Sequence, residues 1–150
     1  MKPRFNTLKH NRMLVERLPA DELNAELGRP TGAASTPDAA IRMSLALIKS
    51  GLSFNGRTSI TAGPNAGRSV ESRARRLADQ LARPALLGQP ESIAPAKALA
   101  QLAGKHGVVF FSKPQAQGGY IDLLEPASAG RICHAASQFA THEIRFWPLV

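Results

Sequence analysis

One stretch, STPDAAIRMSLALIKSGLSF over residues 35–54, constrains this chain more than any other. Ile41, Leu45, Ile48 and Leu52 recur at helical spacing, with Met43 and Leu47 beside them. An apolar face that wide predicts a helix buried on most of its sides, so the rest of the chain must supply walls around it. Thr36 is placed to cap the helix, Pro37 suits its first turn, Asp38 complements the positive end of its dipole, and Gly51 supplies the stop.

The remaining pattern predicts those walls. Residues 55–69, NGRTSITAGPNAGRS, are dense in turn formers and read as an irregular loop. Ser69 then caps a helix with the stripe Val70, Ala74, Leu77 and Leu81, its other faces carrying Arg73, Arg75, Arg76 and Arg83. Pro84, Gly88 and Pro90 break the chain, and an alanine-rich helix follows over residues 95–103. GVVFFS (107–112) reads as a strand, KPQAQGG as a turn, YIDLLEP (120–126) as a second strand and EIRFWPLV as a third. Helices first and antiparallel strands afterwards predict an α+β layout, a helix packed on a small sheet.

At 150 residues with 43% hydrophobic content, the chain fits one domain spanning residues 1–150, burying roughly two-thirds of its unfolded surface. The single cysteine, Cys133, excludes an intramolecular disulfide and any Cys-rich zinc site. No run approaches the length of a membrane helix, and MKPRFNTLKHNRMLVERL lacks the apolar core of a signal peptide. The expectation is synthesis in the cytoplasm and export, if any, by a route that reads no signal peptide. Lys and Arg outnumber Asp and Glu 19 to 11, a net charge of +8. That balance favours polyanions: nucleic acid, anionic lipid, cell-wall polymer or an acidic protein partner.

Four blocks, taken in order, carry a resemblance. AAIRMSLALIKSGLSF is similar to the active-site helix of the type VI secretion amidase effectors of family four, which opens Cys-Ala-Ile-Arg-Met-Ser. GKHGVVFFSKPQAQGGYIDLL is similar to that family's strand pair, MKPRFNTL to its opening and IRFWPL to its closing strand. The resemblance implies a papain-like, NlpC-type fold. It also implies delivery by the type VI apparatus into rival bacteria and cleavage of the peptidoglycan stem between D-glutamate and diaminopimelate. A cognate immunity protein would protect the producer. The family's cysteine has its thiolate stabilised at a helix N-terminus, a histidine from the sheet serves as base, and a polar group orients that histidine.

Laid on this sequence, the family's cysteine falls on Ala39 and its histidine on Tyr120, and the orienting acid falls in AGRICHAAS, which has no carboxylate. Alanine offers no nucleophile, and a phenol with a reference pKa of about 10 is a poor base at neutral pH. Three losses together point to a natural change. The expectation is an effector of this fold without the cysteine amidase mechanism, acting as a target-binding pseudoenzyme or immunity decoy, or by another toxic activity.

Other residues offer little to replace the site. Cys133 and His134 are strand neighbours that would face opposite ways, and His142 and Glu143 precede the last strand. His10 and His106 lie in polar, basic surroundings that suit a solvated imidazole, and Ser35, Thr36 and Ser44 have no identifiable base. The glycine-rich stretches lack the phosphate-loop lysine, and no cofactor or metal is implied. Asp38, Ala39, Arg42, Tyr120 and Asp122 are the candidate lining of the old cleft. Asp38, Tyr120 and Asp122 carry two readings. They form a rebuilt hydrolase or transferase site, or they are a dipole partner and ordinary polar strand positions. Arg73, Arg75, Arg76 and Arg83 carry two more: a phosphate-tracking surface, or a solvated face interrupted by Glu71 and Asp79. With aromatics at 5%, base stacking is not expected.

Overall fold

The computed structural model describes residues 3–19, 22–23, 25, 39–53, 58–61, 66–71, 74–112, 119–128, 130 and 144–150. Within them the apolar run folds as helix α2 (Ala39–Lys49), following an N-terminal helix α1 (Phe5–Glu16). Met43, Leu45, Ala46 and Leu47 of α2 are fully buried, so the helix is enclosed as its wide apolar face predicts. Gly51 ends it with φ 101°, the left-handed conformation that glycine adopts at lowest cost.

Helix α1 runs antiparallel to α2. Asn11 Nδ2 donates to Ser50 Oγ at 2.8 Å near one end, and Arg42 Nη1 donates to the Val15 carbonyl at 2.6 Å near the other. On the far side, helix α3 (Ala74–Leu81) buries Ala74, Leu77, Ala78 and Leu81.

The sheet supplies the floor. β3 (Glu91–Ile93), β4 (Gly107–Ser112), β5 (Gly119–Leu124) and β6 (Ile144–Pro148) form one antiparallel sheet in the order β3-β6-β4-β5. A 3-10 turn (Pro95–Lys97) and helix α4 (Ala98–Leu102) connect β3 to β4. β4 is buried at every residue. Its alternation splits the interior in two: Val108 and Phe110 join Ile121 and Trp147 beneath the helices, while Val109 and Phe111 face Leu124, Phe146, Ile93 and Leu102. Gly107 pairs with Leu124 on one side and Pro148 on the other, and a Cβ there would run into the Trp147 carbonyl.

Three expectations are corrected. Residues 55–69 are not wholly irregular: β1 (Thr58–Ser59) pairs with β2 (Ser69–Val70). Ser69 therefore caps no helix, and Val70 belongs to a strand rather than to the stripe of α3. The cause is local. Gly67, at φ 91°, turns the chain back so that the Ile60 amide donates to the Arg68 carbonyl at 2.8 Å. Ser44 Oγ then donates to the Glu71 carbonyl at 3.0 Å and accepts from the Glu71 amide at 3.1 Å, which occupies the backbone groups a helix would need. Thirdly, the sheet has four strands, since Glu91–Ile93, read as part of a broken stretch, pairs with β6. The alanine-rich helix ends at Leu102, one residue short of the expected end.

Ser44 is fully buried in the middle of α2, so its hydroxyl is a structural clamp between the helix and the segment after β2. Ser44→Ala should cost about 1–3 kcal/mol, because it strands both the buried amide and the carbonyl of Glu71. Urea denaturation checks this. A change within error would mean that the clamp carries no stability.

Candidate functional site

The site grows from an arginine on the wrong face of a helix. Phe5, Leu8, Arg12 and Val15 form the buried side of α1, so Arg12 stands on an apolar stripe and is only 8% exposed. A guanidinium there requires counter-charges. Arg12 Nη2 reaches Asp122 Oδ1 on β5 at 3.5 Å, and Nη1 meets Glu16, one turn along α1, as an ion pair. Nε has no hydrogen-bond partner among the described residues. Burial pushes the Arg12 pKa below its ordinary value; Asp122 and Tyr120 act against that, and Arg42 adds to it.

Asp122 is the hub on the sheet side. Its Oδ2 accepts the Tyr120 hydroxyl at 2.5 Å, and its Oδ1 accepts the Leu123 amide at 2.8 Å. Period-two alternation places Tyr120 and Asp122 on one face of β5, as the sequence predicts. That face belongs to the second apolar cluster: the Tyr120 ring is half-buried and stacks on Phe111, its cross-strand partner, with centroids 6.2 Å apart and planes at 6°. Tyr120 is thus held against the sheet rather than presented on an open strand. The Phe111 ring opposite it and its own bond to Asp122 fix its place.

Arg42 extends from the first turn of α2 to cap the end of α1, donating to the Val15 and Leu18 carbonyls at 2.6 and 3.2 Å. The Val15 carbonyl also accepts the Leu18 amide at 3.2 Å, so Arg42 adds a second donor there and ties the chain just past α1 to α2; this candidate cleft residue thus also has a structural task. Ala39 opens α2. Asp38 and Arg73 lie outside the described residues, as do Ser35, Thr36, Cys133, His134, His142 and Glu143. Arg75, Arg76 and Arg83 are exposed as expected. His10 is exposed, and so is His106, whose ring lies 4.9 Å from that of Phe5.

Beside this network lies a cleft of about 300 Å³, walled by Lys9, Arg12, Met13 and Arg17 of α1 and by Asp122, Glu125 and Ser128. Both signs of charge line it. Tyr120, Asp122, Arg12 and Glu16 are linked to one another while Arg12 Nε keeps a donor unused among the described residues, an arrangement suited to holding a polar partner. Among the described residues no three His, Cys, Asp or Glu side chains gather as metal ligands, and no helix is long and apolar enough to cross a membrane.

A buried helix packed on an antiparallel sheet makes this an α+β fold, with which a papain-like, NlpC-type arrangement is consistent. Residues 37–147 match the type VI secretion system amidase effector protein 4 family, and the chain belongs to that family. Its fold is similar to the effector of the Tae4–Tai4 effector–immunity complex from Enterobacter cloacae, at 20% identity and a TM-score of 0.72 over 100% of both chains. It is similar also to the corresponding complex from Salmonella typhimurium, at 20% identity and 0.70 over 99% of each chain. The Enterobacter cloacae effector Tae4 alone gives 20% identity and 0.67, covering 100% of this chain and 98% of that one. A comparison with curated proteins finds no sequence match.

Arg12 is the site residue that sequence reasoning missed. Its signal was the spacing Phe5, Leu8, Arg12, Val15, a charge on an otherwise apolar stripe. Asp122→Asn should destabilise the fold by about 2 kcal/mol, leaving the buried guanidinium short of counter-charge. Adding Arg12→Met should restore most of that loss. Denaturation of both single variants and the double checks the coupling, and simple additivity would break it.

Proposed function

We propose that this chain is a type VI antibacterial effector that no longer cuts peptidoglycan by a cysteine mechanism. In its place it binds a target through the charged cleft beside Arg12 and Asp122. The observation that carries this reading is the pair Ala39 and Tyr120. Ala39 opens α2 and Tyr120 lies on β5, where the family resemblance calls for thiol and imidazole. Neither side chain can form the activated nucleophile that the mechanism needs. The Tyr120 hydroxyl also donates to Asp122, so it does not sit as an isolated base.

Membership of the effector family supports delivery by the type VI apparatus into a target cell. The Enterobacter cloacae and Salmonella typhimurium proteins of this fold are described in complex with immunity proteins, which supports a cognate immunity partner here. The periplasm is the compartment the family resemblance implies.

A second reading rests on the 2.5 Å contact between Tyr120 and Asp122. A phenol hydrogen-bonded to a carboxylate, with a guanidinium near, would attack the carbonyl carbon of an amide as Asp122 takes its proton. The amine would leave with that proton, and water would then hydrolyse the Tyr120 ester.

Purified sacculi incubated with the protein separate the readings. The expected outcome is no stem-peptide fragment above the buffer control. Release at an enzyme-like rate overturns the leading reading. If that release disappears in Tyr120→Phe, the second reading stands in its place. Expression in a sensitive Gram-negative host with and without a periplasmic signal peptide then locates the target. Killing from the periplasm alone is expected, and killing from the cytoplasm alone would move the target inside the cell.

A further inference from the structure

The end of α2 remote from Arg42 opens on a different cavity, of about 360 Å³, lined by Ser53, Gly67, Arg68, Ser69, Arg83 and Leu86 among others. We propose that this cavity binds a phosphoryl group, held by the guanidinium groups of Arg68 and Arg83 with the Ser53 hydroxyl as a further donor.

Charge of one sign is the first support. Residues 52–89 contain six arginines, Arg57, Arg68, Arg73, Arg75, Arg76 and Arg83, and no lysine. Glu71 and Asp79 are the only carboxylates in that stretch. Glu71 is 2% exposed, and Asp79 Oδ1 accepts from Arg145 Nη1 at 2.7 Å. Neither lines the cavity, so no acidic side chain there competes for the two arginines among the described residues.

Preorganisation is the second. The Arg68 backbone is fixed in the turn of the β1–β2 hairpin, its carbonyl accepting the Ile60 amide at 2.8 Å while the Gly67 amide donates to Ile60 at 3.0 Å. One guanidinium nitrogen of Arg68 lies 3.5 Å from the Leu52 carbonyl, a long contact that engages one of its five N–H donors. Arg83 is anchored from the opposite wall, its carbonyl accepting the Leu86 and Gly88 amides at 2.9 and 3.0 Å. Side chains that start from a fixed backbone lose less entropy when a ligand binds.

The donor set selects the ligand class. Two planar forks and the Ser53 hydroxyl offer more donors than the two oxygens of a carboxylate accept, and they suit the three terminal oxygens of a phosphoryl group. A concave cavity of this size fits a single group, whereas a nucleic-acid backbone would run along the exposed face of α3.

Calorimetric titration of the full chain with pyrophosphate tests this at low ionic strength. The expected result is saturable one-to-one binding, weakened about tenfold or more by Arg68→Gln or Arg83→Gln and unchanged by Arg75→Gln, which lies on α3 outside the cavity. Arg83→Lys keeps the charge but not the fork, and should lose most of the affinity while folding normally. Glutarate, a dicarboxylate of similar length, should bind at least about tenfold more weakly. Equal binding of the two anions, equal sensitivity to Arg75→Gln, or no binding of pyrophosphate would each overturn the proposal. Sedimentation with phosphatidic acid vesicles distinguishes the source. Pelleting that is lost in Arg83→Gln and competed by pyrophosphate assigns a lipid headgroup, and its absence alongside pyrophosphate binding assigns a soluble phosphate ester. Because the readout is binding, the result stands apart from any outcome with sacculi.

Discussion

The enclosure of α2 dictates most of the rest. A helix whose Met43, Leu45, Ala46 and Leu47 are fully buried must be walled on every side, and no single layer can do it. The sheet closes one side through Val108, Phe110, Ile121 and Trp147, α1 closes a second through Phe5, Leu8 and Val15, and α3 contributes Leu77 and Leu81. Enclosure also forces every polar group on the helix to find an internal partner. Ser44 finds one in the backbone of Glu71, and in doing so pins the residue that follows β2 against the helix. Arg42 finds its partners in the end of α1, and so fixes where that helix stops.

How much of this the sequence discloses depends on the range of the interactions. α2 and β5 are legible because each repeats its own period over several residues, and β4 because GVVFFS carries a continuous run of β-branched and aromatic residues. β1, β2 and β3 are not legible. They are two or three residues long, and β3 owes its existence to β6: Glu91 pairs with Phe146, far along the chain. Helix α1 was obscured by the very residue that matters most in it, since Arg12 interrupts the apolar stripe that would announce a helix. The site divides the same way. The shared face of Tyr120 and Asp122 follows from alternation along one strand, while the contact of Asp122 with Arg12 spans 110 positions and has no local signature.

The two ends of α2 differ in electrostatic character. Near its first turn, cations and anions are balanced against each other in a network where Arg12, Glu16, Asp122 and Tyr120 are mutual partners. Such a network gives orientation and specificity more than raw affinity. Near its last turn the arginines face a cavity with no carboxylate among its described lining residues. Excess charge of one sign is a source of attraction that weakens as salt rises. Helix propensity does not distinguish the two ends. The difference comes from which neighbouring segments carry their carboxylates inward, as Glu71 does, or spend them on a distant partner, as Asp79 does on Arg145.

The order of the strands has a consequence in time. β6 lies between β3 and β4, so the segment furthest along the chain fills an interior place in the sheet. Until it arrives, β3 has no neighbour, and one edge of β4, with Val109 and Phe111 on it, stays open. A partly formed sheet of this kind presents an unpaired hydrophobic edge, the sort of surface that chaperones and aggregation both exploit. Pairings this distant are slow to form, because the closure entropy falls due before most of the contacts exist. The native topology therefore makes the finished sheet depend on its most distant pairing, Glu91–Ile93 with Ile144–Phe146.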